Sequence, residues 1–184
     1  MSEKTLHDYV MSGEACPAHL APGRIAIMCV GNRLMLDDGI GPAVFDELTA
    51  HWDIPDNVEL FDLGCLTLAM IDKVEAFDLI ITVDAVDGTQ NPAGTVLRYA
   101  PEVMARHAGI NASLHDLKLI DLFDAAALLG YTAEGLCLGV QVENASPACV
   151  TEGLTPAVYD ALPLLVEVVA GECARMGSPL SRKA

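Results

Sequence analysis

The stretch LIITV, Leu79–Val83, is the part of the sequence that most limits how the chain can fold. Five consecutive apolar or β-branched residues without polar alternation are typical of a strand that is buried on both faces. Such a strand needs a layer of helices on each side. The run therefore predicts the central strand of a largely parallel sheet.

Other strand and helix patterns alternate along the chain. Further strands are predicted at Arg24–Val30, Asn57–Asp62, Gly94–Tyr99 (an edge or antiparallel strand) and Leu136–Val142. Helices are predicted at Gly41–Ala50, Leu66–Val74, Ser113–Leu129 and Thr155–Cys173, the last with Pro156 at its start and a bend at Pro163. This alternation predicts an α/β sandwich with a mainly parallel sheet.

The length of 184 residues suits one domain. Residues 1–23 end in Pro22-Gly23 and are expected to form an N-terminal arm with room for one short helix. Residues 24–175 are expected to form the single α/β domain. Residues 176–184 are expected to be a flexible tail.

Charge and hydropathy exclude several classes of partner. Twenty-six acidic and ten basic residues give a net charge of −16, which argues against binding to a nucleic-acid backbone. No apolar run approaches the roughly 20 residues of a membrane span, and no export signal is visible. We therefore expect a cytoplasmic protein with no membrane insertion, whose six scattered cysteines are reduced and mostly fill the core.

Four acidic residues follow or end predicted strands: Asp38, Asp62, Asp84 and Glu143. The carboxyl ends of parallel strands meet at one edge of the sheet, where α/β proteins bind their ligands. Asp84 is the most informative of the four, because it ends an apolar run in which an unpaired carboxylate would be costly.

A histidine joins this group. In SLHD, Ser113 and Asp116 have the spacing of a capping box, which places His115 in the first turn of a predicted helix. The positive helix terminus disfavours imidazolium there. A neutral imidazole can serve as a metal ligand or a general base.

Each residue also has a local explanation. Asp37 or Asp38 could cap the following helix, Asp62 and Asp84 could orient turns, and His115 could be a surface residue. For Glu143 a local salt bridge is the better explanation, and for Asp62 the two explanations are balanced. Asp38, Asp84 and His115 at one edge would nevertheless repel or desolvate one another without a countercharge. A divalent metal bound by these three residues would supply it.

Other kinds of site find little support. The sequence contains no G-x-S-x-G elbow, no P-loop and no H-E-x-x-H motif. The acids of VGNRLMLDDGIG would repel a phosphate at a helix N-terminus, so nucleotide binding is disfavoured. Among the cysteines, only Cys65 is placed in a loop where it could act, and no motif marks a base for it.

The chain resembles the [NiFe]-hydrogenase maturation proteases, endopeptidases that remove a C-terminal extension from the hydrogenase large-subunit precursor. The resemblance runs from about Arg24 to about Gly171. It rests on VGNRLMLDDGIGPAVFDEL (30–48), VDAVD (83–87), NPAGTV (91–96), SLHDL (113–117) and GLTPAVYDAL (153–162).

The resemblance implies a three-layer α/β sandwich with a twisted sheet between helix layers. It also implies that Asp38, Asp84 and His115 bind metal and act in catalysis, with Asp37 as the cap or orienting residue beside them. The resemblance further implies that the metal is nickel already carried by the precursor, for which other divalent metals could substitute. The role of base stays open between Asp38 and Asp84.

One loop departs from the family pattern. The family usually has D-G-G-T after the second strand, whereas this chain has DLGC, Asp62 to Cys65. The resemblance implies that Asp62, Gly64 and Cys65 contact the substrate, so the departure bears on which hydrogenase is processed. It also leaves an alternative, a non-catalytic nickel-binding or chaperone module that docks the precursor without cutting it.

Overall fold

A computed structural model of the chain describes residues 4–65, 70–101 and 122–184. In these ranges the elements follow in chain order: α1 (Leu6–Ser12), β1 (Ile25–Val30), the 3-10 turn η1 (Leu36–Gly39), α2 (Ile40–His51), β2 (Trp52–Asp53), β3 (Val58–Gly64), α3 (Ile71–Val74), β4 (Leu79–Val86), β5 (Val96–Tyr99), a helical segment at 122–128, β6 (Glu134–Gln141), α4 (Pro156–Arg175) and β7 (Ser181–Arg182).

Five strands form the main sheet in the order β3-β1-β4-β6-β5. The first four are parallel, and β5 is an antiparallel edge strand that pairs with β6. The predictions of a mainly parallel sheet, of a central buried strand at Leu79–Val83 and of an antiparallel edge strand are confirmed. The part of the predicted Leu66–Val74 helix at 66–69 lies outside the described residues.

The strands alternate their side chains between two cores. In β1, Ile25, Ile27 and Cys29 pack on one face with residues of α1, α2 and α4. Ala26, Met28 and Val30 pack on the other face with residues near α3 and the 122–128 segment. Both faces of the sheet are thus covered by helices, which makes the fold a three-layer α/β sandwich.

The N-terminal arm contains the expected short helix, and that helix is packed onto the domain. Thr5 and Asp8 form a capping box at the start of α1. Val10 is fully buried in the core that α2 and α4 share. The guanidinium of Arg98 donates to the carbonyls of Val10 and Met11, and that of Arg175 donates to those of Tyr9 and Glu14.

The C-terminal residues 176–184, predicted to be a tail, contact the domain in the structure. Ser181–Arg182 pairs as an antiparallel strand with Trp52–Asp53, and Leu180 is buried. The guanidinium of Arg182 lies 4.8 Å from the centre of the Trp52 ring. These contacts attach the tail to the end of α2, because the apolar Leu180 and the Trp52 ring both gain burial there.

Candidate functional site

The strand order predicts a ligand-binding crevice beside β1. From β1 the chain crosses to β3 on one side, while β4 lies on the other side of β1. In open α/β sheets, ligands bind at the carboxyl ends of the strands where the order reverses in this way. Two of the predicted site residues belong to this place, because Asp38 follows β1 and Asp84 lies in β4.

Two glycines allow the chain to turn tightly at this corner. Gly31 has a φ of +136°, and a Cβ there would lie 1.9 Å from the main-chain oxygen of Asp38. A Cβ on Gly41 would lie 2.0 Å from the oxygen of Val30 and 2.8 Å from that of Val83. The N-terminus of α2 therefore rests directly on β1 and β4, and it brings η1 close to the strand that contains Asp84.

Asp38 is almost fully buried, with 4% of its surface exposed. The backbone N–H of Asn32 donates to both its main-chain oxygen (3.1 Å) and its Oδ2 (2.9 Å). Its position in η1, and not inside α2, makes it part of the turn that closes the crevice.

Asp37 is fully buried and accepts four hydrogen bonds. Its Oδ1 accepts from the N–H of Thr155 at 2.6 Å. Its Oδ2 accepts from the N–H groups of Glu143 (3.1 Å) and Asn144 (2.9 Å) and from the hydroxyl of Thr155 (3.0 Å). Asp37 thus joins η1 to the residues after β6 and to the residue that precedes α4.

Asp84 is 2% exposed and lies inside β4, two residues before its end at Val86. Sequence reasoning placed it at the end of the strand, but the pairing with β6 continues past it to Val86 and Gln141. Its Oδ1 accepts the N–H of Ala85 at 2.7 Å. By strand alternation its side chain shares the face of Ile80, which packs with Leu122.

The third predicted ligand, His115, lies outside the described residues. Within residues 4–65, 70–101 and 122–184, no three His, Cys, Asp or Glu side chains are grouped so that they could hold a metal. Asp38 and Asp84 offer buried oxygen donors, which suit a divalent cation, and a third protein ligand has to be sought elsewhere in the chain. His115 lies seven residues before Leu122 in the sequence, and Leu122 packs on the same face of the sheet as Ile80.

The loop after β3 begins beside the crevice. Gly64 pairs with Val30, and its carbonyl accepts the N–H of Gly31. Asp62 is bound to the guanidinium of Arg33 at 2.8 Å, and Arg33 also binds Asp46. These two carboxylates raise the pKa of Arg33 above its usual value. Asp62, Gly64 and the partly buried Cys65 therefore lie next to the Asp38 turn.

Sequence reasoning missed two residues that hold the loops of this edge. Thr155 was read only as the start of α4, and its bonds to Asp37 span 118 positions, so no local pattern signals them. The buried Gln141 accepts the N–H of Thr89 (3.0 Å) and donates to Asp87 (3.3 Å), which fixes the turn after β4. Glu143 is exposed, and it takes part through its backbone N–H.

The buried thiols have the properties of core residues. Burial raises the pKa of Cys173 to about 12 and raises that of Cys29 further above its usual range. Cys137 is also buried, so three of the six cysteines are buried, whereas most were predicted to fill the core; Cys16 and Cys65 are partly buried and Cys149 is exposed. Thiols with raised pKa values form little thiolate at neutral pH and are poor nucleophiles.

Known proteins share this fold and sequence. The model of the hydrogenase maturation protease family matches residues 42–172. The hydrogenase expression/formation protein HupD of Thiocapsa roseopersicina is 32% identical over 151 residues, which are 78% of this chain and 68% of that protein. The hydrogenase 2 maturation protease of Escherichia coli (strain K12) is 31% identical over 149 residues, 80% of this chain and 89% of the relative.

A solved structure agrees with these relatives. The hydrogenase maturating endopeptidase HybD from E. coli superposes with a TM-score of 0.77 at 27% identity, over 87% of this chain and 98% of that one. In the part of the chain that the structure describes, no helix is long and apolar enough to cross a membrane. The family match covers most of the chain, and the chain therefore belongs to the hydrogenase maturation proteases, a family of endopeptidases.

Proposed function

We propose that this protein removes the C-terminal extension of a nickel-loaded [NiFe]-hydrogenase large-subunit precursor in the cytoplasm. The observation that carries the proposal is the placement of two buried carboxylates at the carboxyl edge of the sheet, Asp38 in the turn that follows β1 and Asp84 in the neighbouring strand β4. Two buried acids at one edge call for a cation, and a precursor that carries nickel brings one.

In this proposal nickel belongs to the substrate. Asp38, Asp84 and His115 bind the ion that the precursor presents, and other divalent metals can take its place in the isolated protein. Bound nickel would polarise the scissile carbonyl or the attacking water. Asp38 and Asp84 are the two candidates for the base. Because the three ligands engage only a loaded precursor, cleavage would follow nickel insertion.

Substrate contacts are assigned to the loop after β3. Asp62, Gly64 and Cys65 adjoin the Asp38 turn through the pairing of Gly64 with Val30, so a bound precursor segment would pass over them. The ion pair of Asp62 with Arg33 keeps this carboxylate near the crevice. The identity of these loop residues would then influence which hydrogenase is processed.

The decisive experiment incubates the purified protein with nickel-loaded and nickel-free precursor and measures product masses. We expect one C-terminal cut, only in the loaded precursor. His115→Ala should abolish cleavage, whereas His107→Ala, a matched change eight positions away, should not. Full cleavage of nickel-free precursor would contradict the role of nickel, and a precursor that is bound but uncut would favour the non-catalytic docking module.

A further inference from the structure

We propose that Asp37 is a positioning residue for Asp38, and that it sets the place of this metal ligand through residues more than 100 positions away. The inference rests on the proposed function, in which Asp38 binds the metal. Its evidence is the fully buried Asp37 carboxylate, with four donors from Glu143, Asn144 and Thr155. A side chain that only capped a neighbouring helix would not accept hydrogen bonds from two separate segments of the chain.

The Asp37 pocket accepts a carboxylate and rejects the nearest neutral analogue. Both oxygens of Asp37 face backbone N–H groups, Oδ1 at Thr155 and Oδ2 at Glu143 and Asn144. An asparagine has one acceptor oxygen and one NH₂ group. In either orientation its NH₂ group would face a buried backbone N–H group. Both groups are hydrogen-bond donors, so neither would have an acceptor there.

The turn that Asp37 holds would not keep its shape alone. Leu36 has a φ of +53°, a left-handed conformation that is unfavourable for a residue with a Cβ. Such residues persist where the surrounding contacts determine them. Here the N–H of Leu36 donates to the carbonyl of Thr151 at 2.8 Å, and the N–H of Asp37 donates to that of Asn144 at 3.3 Å.

Asp38 accepts hydrogen bonds from within its own loop. Its carboxylate and main-chain oxygen both accept from Asn32, which belongs to the same loop. The neighbouring Asp37 carboxylate joins that loop to the residues after β6 and before α4, and the main-chain bonds of Leu36 and Asp37 support the same connection. When the Asp37 bonds are lost, the strained turn can relax and carry Asp38 away from Asp84.

The test measures binding of Ni²⁺ alone by calorimetry to the full-length folded protein. Residues that orient metal ligands typically change affinity by about 10–100-fold. We expect Asp37→Asn to lower Ni²⁺ affinity within this range. Thr155→Val removes only the hydroxyl donor and should lower Ni²⁺ affinity by a smaller factor. Thr155→Ser keeps the hydroxyl and should bind Ni²⁺ with the affinity of the parent. On loaded precursor, Asp37→Asn should raise KM as well as lower kcat, because the nickel that the precursor carries would be held less tightly.

Glu172→Gln is the matched control, since Glu172 is another buried carboxylate that binds Arg98 and Arg175. It should lower stability without changing Ni²⁺ affinity. The inference is overturned if folded Asp37→Asn binds Ni²⁺ like the parent or if Glu172→Gln loses affinity equally. If Asp37→Asn does not fold, equal affinities of Thr155→Val and Thr155→Ser overturn it. A parent that binds Ni²⁺ but leaves loaded precursor uncut contradicts the proposed function alone.

Discussion

Asp37 and Asp38 are adjacent, buried and chemically identical, and yet their surroundings differ. Both oxygens of Asp37 are occupied by four donors from distant segments. The carboxylate of Asp38 accepts from Asn32 through Oδ2 within its own loop. In the proposed function, these different surroundings would make Asp37 the residue that orients the site and Asp38 the residue that meets the ligand.

Asp84→Asn removes the negative charge of this side chain and keeps its size and shape. The amide oxygen can still accept the N–H of Ala85, so we expect the free energy of unfolding to change by less than about 1 kcal/mol. Cleavage of loaded precursor should fall by about 100-fold or more, because a metal ligand or base is lost. Urea denaturation and a cleavage assay measure the two quantities. Parent-like activity would identify Asp84 as a structural acid.

Alkylation tests whether a thiol takes part in the reaction. Cys149 is exposed, whereas Cys29 and Cys173 are buried and have raised pKa values. Iodoacetamide at neutral pH should therefore modify Cys149 first and leave the two buried thiols intact, as peptide mass mapping would report. Cleavage should survive this treatment. Loss of activity that follows modification of Cys65 alone would point to a thiol mechanism.

At the scale of elements, the N-terminal arm and the C-terminal strand make more contacts with the domain than the sequence pattern indicates. The arm helix α1 is held by Arg98 and Arg175, and Glu172 binds both guanidinium groups. Because Gln cannot replace the charged acceptor, Glu172→Gln should lower the free energy of unfolding by about 2 kcal/mol. Urea denaturation measures this. Limited proteolysis should also cut faster before Gly23, and unchanged stability would show that the arm is held by apolar contacts alone.

The C-terminal strand can be followed through the single tryptophan. Trp52 is 6% exposed and lies under Arg182. Deletion of residues 178–184 should shift its fluorescence emission to longer wavelength and cost about 2 kcal/mol, mainly through Leu180. Lys4→Ala removes a similar contact on Tyr9 and should leave the emission unchanged. An unshifted spectrum in the deletion variant would contradict the packing of the tail on Trp52.

At the scale of the molecule, the sequence predicted what periodicity can encode. The continuous apolar run of β4 and the alternation of strands and helices led to the three-layer fold, and the site acids followed from the rule that ligands bind at carboxyl strand ends. The contacts of the arm, the tail and Thr155 were not predictable, because they join residues far apart in sequence. Whether His115 completes the site stays a prediction.

Metal binding should stabilise the whole fold. A ligand that binds only the folded state adds about 2.7 kcal/mol at a free concentration about 100 times its Kd. We expect Ni²⁺ to raise the thermal midpoint of the parent in a concentration-dependent way and to leave that of Asp38→Ala unchanged. Differential scanning fluorimetry measures both. An equal rise in the two proteins would place the stabilising metal elsewhere.

The four bonds of Asp37 also impose an order of events during synthesis. The DDG corner emerges early, but its partners Glu143, Asn144 and Thr155 follow more than 100 residues later. Contacts with such separation carry a large cost in loop-closure entropy and cannot form before the later partner has been synthesised. A partly made chain would therefore have the acids of the proposed site without their arrangement until Thr155, the residue that precedes α4, has been made.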